Sequence, residues 1–264
     1  MSTGPDALIA GPVRCFIDLA YEGTAYHGWQ RQPQSISVQQ VLEERLSELL
    51  GQTTAVVGCG RTDTGVHAAA FYAHFDWSGE FGPRFSNWEQ AAWKLNGMLP
   101  PDIGVRRIFE VEEGSHARFD ATERAYTYHV HMRKDPFAEG RSARVYQDLD
   151  VKAMNAAARH LVFKGDFATF CKAGGGQKTT LCDVRKAEWT RNGVHAIQFD
   201  IAADRFLRNM VRAVVGTLLE VGRGRMEVQQ VREIVAACDR NRAGASAPAC
   251  GLYLSRVAYP FLTA

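Results

Sequence analysis

The apolar run Val13 to Tyr21 predicts a first strand, and Glu22-Gly23-Thr24 turns the chain away from it. Ser37 followed three residues later by Gln40 has the form of a capping box at a helix start. Val38, Val41, Leu42, Leu46, Leu49 and Leu50 then recur at helical spacing, so one face of that helix belongs to a core. Ala55 to Gly58 predicts a short strand and Phe71 to Trp77 a longer one. The glycine- and proline-bearing stretch Gly79 to Asn87 predicts a loop. A helix over Trp88 to Met98 must stop before Pro100-Pro101, and a strand follows over Ile103 to Val111. This order, two β-α-β units, describes a ferredoxin-like half.

The second half follows the same plan without sequence self-similarity. Arg124 to Met132 predicts a strand and Val151 to Leu161 a helix. Val184 to Trp189 and His195 to Ala202 predict a hairpin turning at Arg191-Asn192-Gly193. A helix is expected from Phe206 to about Val221, and another whose buried face carries Val231, Ile234, Val235 and Cys238. Tyr253 to Val257 predicts a closing strand. The expected organisation is therefore α+β, with halves 1–114 and 115–264 meeting near Gly114.

No apolar run approaches the roughly 20 residues a bilayer span requires. Met1 to Pro12 lacks the basic-then-apolar order of a signal peptide, so the protein is expected in the cytoplasm. Six scattered cysteines, with no Cys-x-x-Cys pair, read as buried thiols rather than as zinc ligands or a disulfide framework. A net charge of +2 does not announce a nucleic-acid partner. Local patches say more: from Asp204 to Arg225 there are five arginines against two acids. Arg205, Arg208 and Arg212 are expected on one side of the helix there, either as a solvated face or as a phosphate-binding stripe. Lys172 and Lys178 beside Gly174-Gly175-Gly176 suggest a mobile basic loop, since the Walker spacing is absent.

The densest chemistry lies in Gly60-Arg61-Thr62-Asp63-Thr64-Gly65-Val66-His67-Ala68. Arg61 beside Asp63 across a tight turn would favour an ionised carboxylate, suited to nucleophilic attack. The alternative is an aspartate that caps its own turn. Ala25 to Gln32, with Tyr26, Trp29 and Arg31, either grips a polar planar ligand or is a loop pinned by its two aromatic rings. Alternation along Arg124 to Met132 puts Tyr126 and Tyr128 on one face that grows more apolar toward its end. One tyrosine is expected in the core and the other against a ligand.

Asp63-Thr64-Gly65 also spells an aspartic-protease motif, but no second copy supplies the partner carboxylate. Taken together, five stretches resemble the TruA family of tRNA pseudouridine synthases. The Asp63 motif differs from the family's only at Thr64, where alanine is usual. The others are Tyr21 to Gln30, His116 to Tyr128, Phe206 to Arg212 through Gly216, and Ala247-Pro248 with Gly251-Leu252-Tyr253-Leu254. They span about Ile17 to Tyr259 in the family's order. A longer Gly79–Asn87 loop and the glycine triplet are further departures.

The resemblance implies two ferredoxin-like halves joined into one extended, mainly antiparallel sheet, with helices on one face and a central active-site cleft. It implies Asp63 as the catalytic aspartate, Arg61 as its ion-pair partner, and Tyr126 as the ring that stacks on the target base and assists proton removal. Leu252 would be the apolar surface opposite, and Arg31, Arg208 and Arg212 are expected RNA contacts. The implied reaction converts uridine to pseudouridine at positions 38, 39 and 40 of the tRNA anticodon arm, in a homodimer and without metal or organic cofactor. Two rivals remain: a tRNA-binding protein that has lost catalysis, and a carboxylate-dependent hydrolase, for which Asp120 and Glu123 are the nearby second acids.

Overall fold

The structure, a computed structural model, describes residues 11–172 and 178–262. The first half runs β1 (Val13–Tyr21), α1 (Val38–Leu50), β2 (Val57–Gly58), β3 (His67–Trp77), α2 (Trp88–Met98) and β4 (Ile103–Glu110). Ser37 caps α1, its hydroxyl accepting the Gln40 N–H at 3.3 Å. The Gln40 side chain bonds Glu44 instead of reaching back, so only half of the capping box forms. Val38, Leu42, Leu46 and Leu49 are buried as their spacing requires. The second half runs β5 (Glu123–His131), β6 (Ala143–Arg144), α3 (Val151–Ala158), β7 (Lys164–Asp166), β8 (Leu181–Arg191), β9 (Ala196–Ala203), α4 (Met210–Gly222), α5 (Gln230–Ala236) and β10 (Leu252–Ala258). The glycine triplet at 174–176 lies outside the described residues.

The fold is α+β, built on one large, mainly antiparallel sheet in the order β4-β1-β3-β10-β5-β9-β8-β7, with β2 on β3 and β6 on β5. The last strand of the chain is its seam. β10 runs parallel to β3, pairing Tyr253 with His67 and Leu254 with Ala68, and antiparallel to β5, pairing Leu252 with Tyr128 and Leu254 with Tyr126. Two hydrophobic clusters flank the seam. Leu254, Val257 and Tyr259 belong to the first half's cluster, whereas Leu252 belongs to the second's. The C-terminal strand thus completes the N-terminal core.

Three expectations are corrected. β3 starts at His67, not Phe71, because His67 and Ala68, of weak β propensity, gain partners in β10 and Ala68 also one in β1. α4 starts at Met210, not Phe206: Asn209 takes a left-handed conformation (φ 63°), which asparagine tolerates and which breaks the helix. Arg205 and Arg208 therefore precede the helix, and no helical stripe joins them to Arg212. Cys238 lies beyond the end of α5 at φ 49° and is exposed, whereas Val231, Ile234 and Val235 form the helix's buried face.

Beside the first core, β3 supports the loop carrying Arg118. Nδ1 of buried His74 accepts the Ala117 N–H at 3.0 Å, and its ring meets that of His116 at 4.6 Å. Burial pushes the His74 imidazole down to about 4, aided by the positive charge of Arg14 and by His116, against the opposing pull of Asp76 and Asp120.

Leu254→Ala should lower the unfolding free energy by about 2–5 kcal/mol, read as a fall in the urea midpoint, because it opens a cavity where the last strand meets the first core. Between the ordinary histidine pKa and about 4, the unfolded chain binds a proton that folded His74 refuses. Stability should therefore fall as pH drops through that window and level off below it. In His74→Asn the fall should be shallower, checked by urea titrations across the window.

Candidate active site

The parallel pairing of β3 and β10 sets the starts of these strands side by side. The Asp63 turn enters β3, the Ala247 to Gly251 segment enters β10, and Tyr126 and Tyr128 of β5 lie opposite Leu254 and Leu252. Gly65, at φ 75°, closes the turn with Val66 N–H donating to the Asp63 carbonyl at 3.1 Å. Beneath it run Tyr26 to Trp29. Trp29 N–H donates to the Thr62 carbonyl (3.4 Å) and Gly65 N–H to the Tyr26 carbonyl (3.3 Å). Gly28, at φ 82°, sits so close to the Thr62 carbonyl that a Cβ would overlap it. Tyr26 and Trp29 are buried, so this loop is a pinned support for the Asp63 turn. Thr62 is fixed from the other side by a 2.9 Å hydrogen bond with the Tyr21 hydroxyl.

Asp63 pairs with Arg212, Nη1 to Oδ2 at 3.4 Å, and its side chain keeps 34% of its exposure. Arg212 is itself anchored, with Nε donating to the Ala247 carbonyl (2.8 Å) while its own carbonyl accepts the Ala247 N–H (2.9 Å). The expected Arg61–Asp63 pair does not form. Arg61 is exposed and lies with Arg124 and Arg205 around Arg118, whose guanidinium is pushed down by burial and then by those three charges. Arg124 ties this corner together by donating to the carbonyls of Cys59, Arg118, Ala121 and Asp204. Neither Arg124 nor the pairing of Arg212 was readable from spacing: Arg212 reaches Asp63 across 149 residues of chain.

Tyr128 is the core tyrosine, fully buried with its hydroxyl donating to the Pro248 carbonyl at 2.9 Å. Gly251 lies against its ring, where a Cβ would come within 2.7 Å. Tyr126 is partly buried, packs against both hydrophobic clusters and meets Phe206 edge to face at 5.2 Å. Burial raises its phenol above the ordinary value, with the Cys59 thiol and the Asp63 carboxylate adding to the rise, so the hydroxyl stays protonated. Burial likewise pushes the Cys59 thiol up to about 11, which removes it as a nucleophile near neutral pH.

His67 is fully buried and links three segments. Its Nδ1 accepts the Gly23 N–H (3.0 Å), its Nε2 bonds the Cys250 carbonyl (3.1 Å), and its ring stacks on Tyr253 at 4.5 Å. A Glu22 oxygen stands 3.2 Å from Nδ1, yet that nitrogen is already an acceptor and burial lowers the imidazole's pKa, so His67 acts as a neutral clamp.

Of the other expected contacts, Arg31 is exposed and pairs with Glu43 at 3.3 Å, and Arg208 is exposed. The hydrolase's candidate acids are occupied: Asp120 accepts the His116 N–H (2.7 Å) and Glu123 pairs with Arg185 (3.1 Å) and Arg256. Among the described residues no cluster of three or more His, Cys, Asp or Glu side chains could hold a metal ion, and no helix is long and apolar enough to cross a membrane.

The site is thus one accessible carboxylate held by an arginine, beside a half-open aromatic and apolar wall and a group of arginines. Residues 157–260 match the family model described as tRNA pseudouridine synthase. Curated relatives bearing the name tRNA pseudouridine synthase A match nearly end to end. The Bacteroides fragilis protein is 48% identical over 94% of this chain and 96% of its own. The Bacteroides thetaiotaomicron protein is 49% identical over 94% and 91%. The Aeromonas hydrophila protein is 38% identical over 94% and 91%.

Proposed function

This chain belongs to the tRNA pseudouridine synthase family, whose members are isomerases, and we propose that its reaction starts at Asp63 on a uridine of the tRNA anticodon arm, at positions 38, 39 and 40. The single observation that carries this reading is the geometry of Asp63: an accessible carboxylate, fixed by Arg212, in the turn that enters the seam beside Tyr126.

The reaction breaks the bond from the anomeric carbon to N1, turns the base, and joins that carbon to C5, after which the C5 proton leaves. Arg212 presents the carboxylate in one orientation and, being tied to the Ala247 backbone, loses little freedom in doing so. The target uridine must leave its stack, at a cost of a few kcal/mol. Tyr126 and Phe206 offer the aromatic surface that offsets this cost, whereas Leu252, expected opposite Tyr126, is buried opposite Tyr128 and supports that wall from behind. A phenol held protonated is a poor base, so the stacking ring is the contribution we assign to Tyr126. Arg61, Arg118 and Arg205 on one side and Arg31 and Arg208 elsewhere suit phosphate oxygens. Bonds are exchanged only within the substrate, so the reading calls for no metal or organic cofactor. A homodimer in the cytoplasm, with one RNA spanning both subunits, belongs to the same reading.

With tRNA tritiated at uridine C5, the wild type should release tritium and Asp63→Asn should release none while still binding the RNA. Release that survives the substitution would remove Asp63 from its role, and binding without any wild-type release would favour the catalytically silent binder. Sedimentation equilibrium should return about twice the chain mass of 29.3 kDa; a single-chain mass at micromolar concentration would exclude the dimer.

A further inference from the structure

Behind Arg212 the chain encloses an open pocket of about 540 Å³ that the reaction at Asp63 does not use. Its lining includes Lys172, Asn209, Arg212, Arg240, Asn241 and Ser246 and contains no carboxylate. It is shaped by the loop before β10, which runs along the first half of α4: the Gly244 N–H donates to the Thr217 hydroxyl at 2.9 Å, and Arg240 donates to the carbonyls of Ala243 and Gly244.

The donors around this pocket are in surplus. Asn209 occupies the N-cap position of α4 without capping it, because its side-chain amide donates instead to the Ser246 hydroxyl at 2.6 Å. That oxygen also accepts from Arg240 at 3.1 Å, and its own proton finds no acceptor among the described residues. The Lys172 ammonium, which is exposed, and Nη2 of Arg212 make no hydrogen bond among the described residues. The α4 N-terminus adds positive potential to this wall. Three cations, a spare hydroxyl proton and an uncapped helix start ask for an anion with several acceptor oxygens. The lining residues include no aromatic ring to receive a base.

We propose that this pocket seats a backbone phosphate of the RNA next to the target uridine, so that Arg212 touches the reacting carboxylate with one nitrogen and the neighbouring phosphodiester with the other. This rests on the reading of Asp63 given above and adds to it a site that holds the nucleotide being modified, at whichever of the three positions, over the carboxylate. A phosphate held there positions the sugar by its own linkage, which is worth more than general attraction to a basic surface.

The test is a binding cycle that needs no turnover. Anticodon stem-loop RNAs are made with a single neutral methylphosphonate at each linkage flanking the target uridine in turn, and their dissociation constants are measured for the wild type, Lys172→Ala and Lys172→Arg. On unmodified RNA, Lys172→Ala should bind about tenfold more weakly, the loss expected of one charge-assisted contact. Its salt dependence should fall by about one counterion, and Lys172→Arg should restore binding. At one linkage the methylphosphonate should weaken the wild type by a similar factor and leave nothing further for Lys172→Ala to lose. Penalties that multiply at every linkage, or a Lys172→Ala variant that binds as well as the wild type, would overturn the proposal. Failure of tritium release with the cycle intact would instead count against the reading of Asp63 alone.

Discussion

Everything in the molecule that bears on chemistry depends on one pairing, the insertion of β10 between β3 and β5. Because β10 runs parallel to β3, the turn that carries Asp63 into β3 and the loop that leads into Leu252 arrive at the same edge of the sheet. Because it runs antiparallel to β5, Tyr126 and Tyr128 face the leucines of the last strand. His67 reinforces the junction from within, with one nitrogen on the first half's Gly23 and the other on the second half's Cys250. A parallel pair needs a long crossover, and here that crossover is most of the chain.

The electrostatics follow from the same junction. Among the described residues, Arg212 is the cation that meets the Asp63 carboxylate. The others are held elsewhere: Arg124 is committed to four backbone carbonyls, while Arg61 and Arg118 face each other's field. A carboxylate met by one anchored arginine is held in one orientation while its side chain stays open to solvent. It would also repel a polyanion if the surrounding arginines did not outweigh it, which accounts for the local excess of positive charge on a chain whose net charge is only +2. The neutral groups matter equally. The partly buried Tyr126 phenol and the buried Cys59 thiol and His67 imidazole are each kept uncharged by desolvation, so they shape the site without competing for the substrate's charge.

Most of the element order was legible in the pattern of apolar residues, since helices and half-buried strands carry their periods in the sequence. The starts of α1 and α2 and the whole of β1 lie where spacing and capping residues put them. The turn holding Asp63 and the split between a core tyrosine and an accessible one were legible for the same local reason. The two-residue β6 and the three-residue β7 are too short to carry any period.

What the sequence by itself determined is the class of fold, the turn that carries the candidate carboxylate Asp63 and, through its distributed motifs, the family. Tertiary structure alone decided that residues 67–70 extend a strand, that Asn209 starts α4 four residues late, and that Arg212 rather than the adjacent Arg61 meets Asp63. The reason is physical. Periodicity and capping report interactions within a few residues, whereas a charged side chain finds its partner through the path of the folded backbone, and two residues adjacent in a turn point where that backbone sends them.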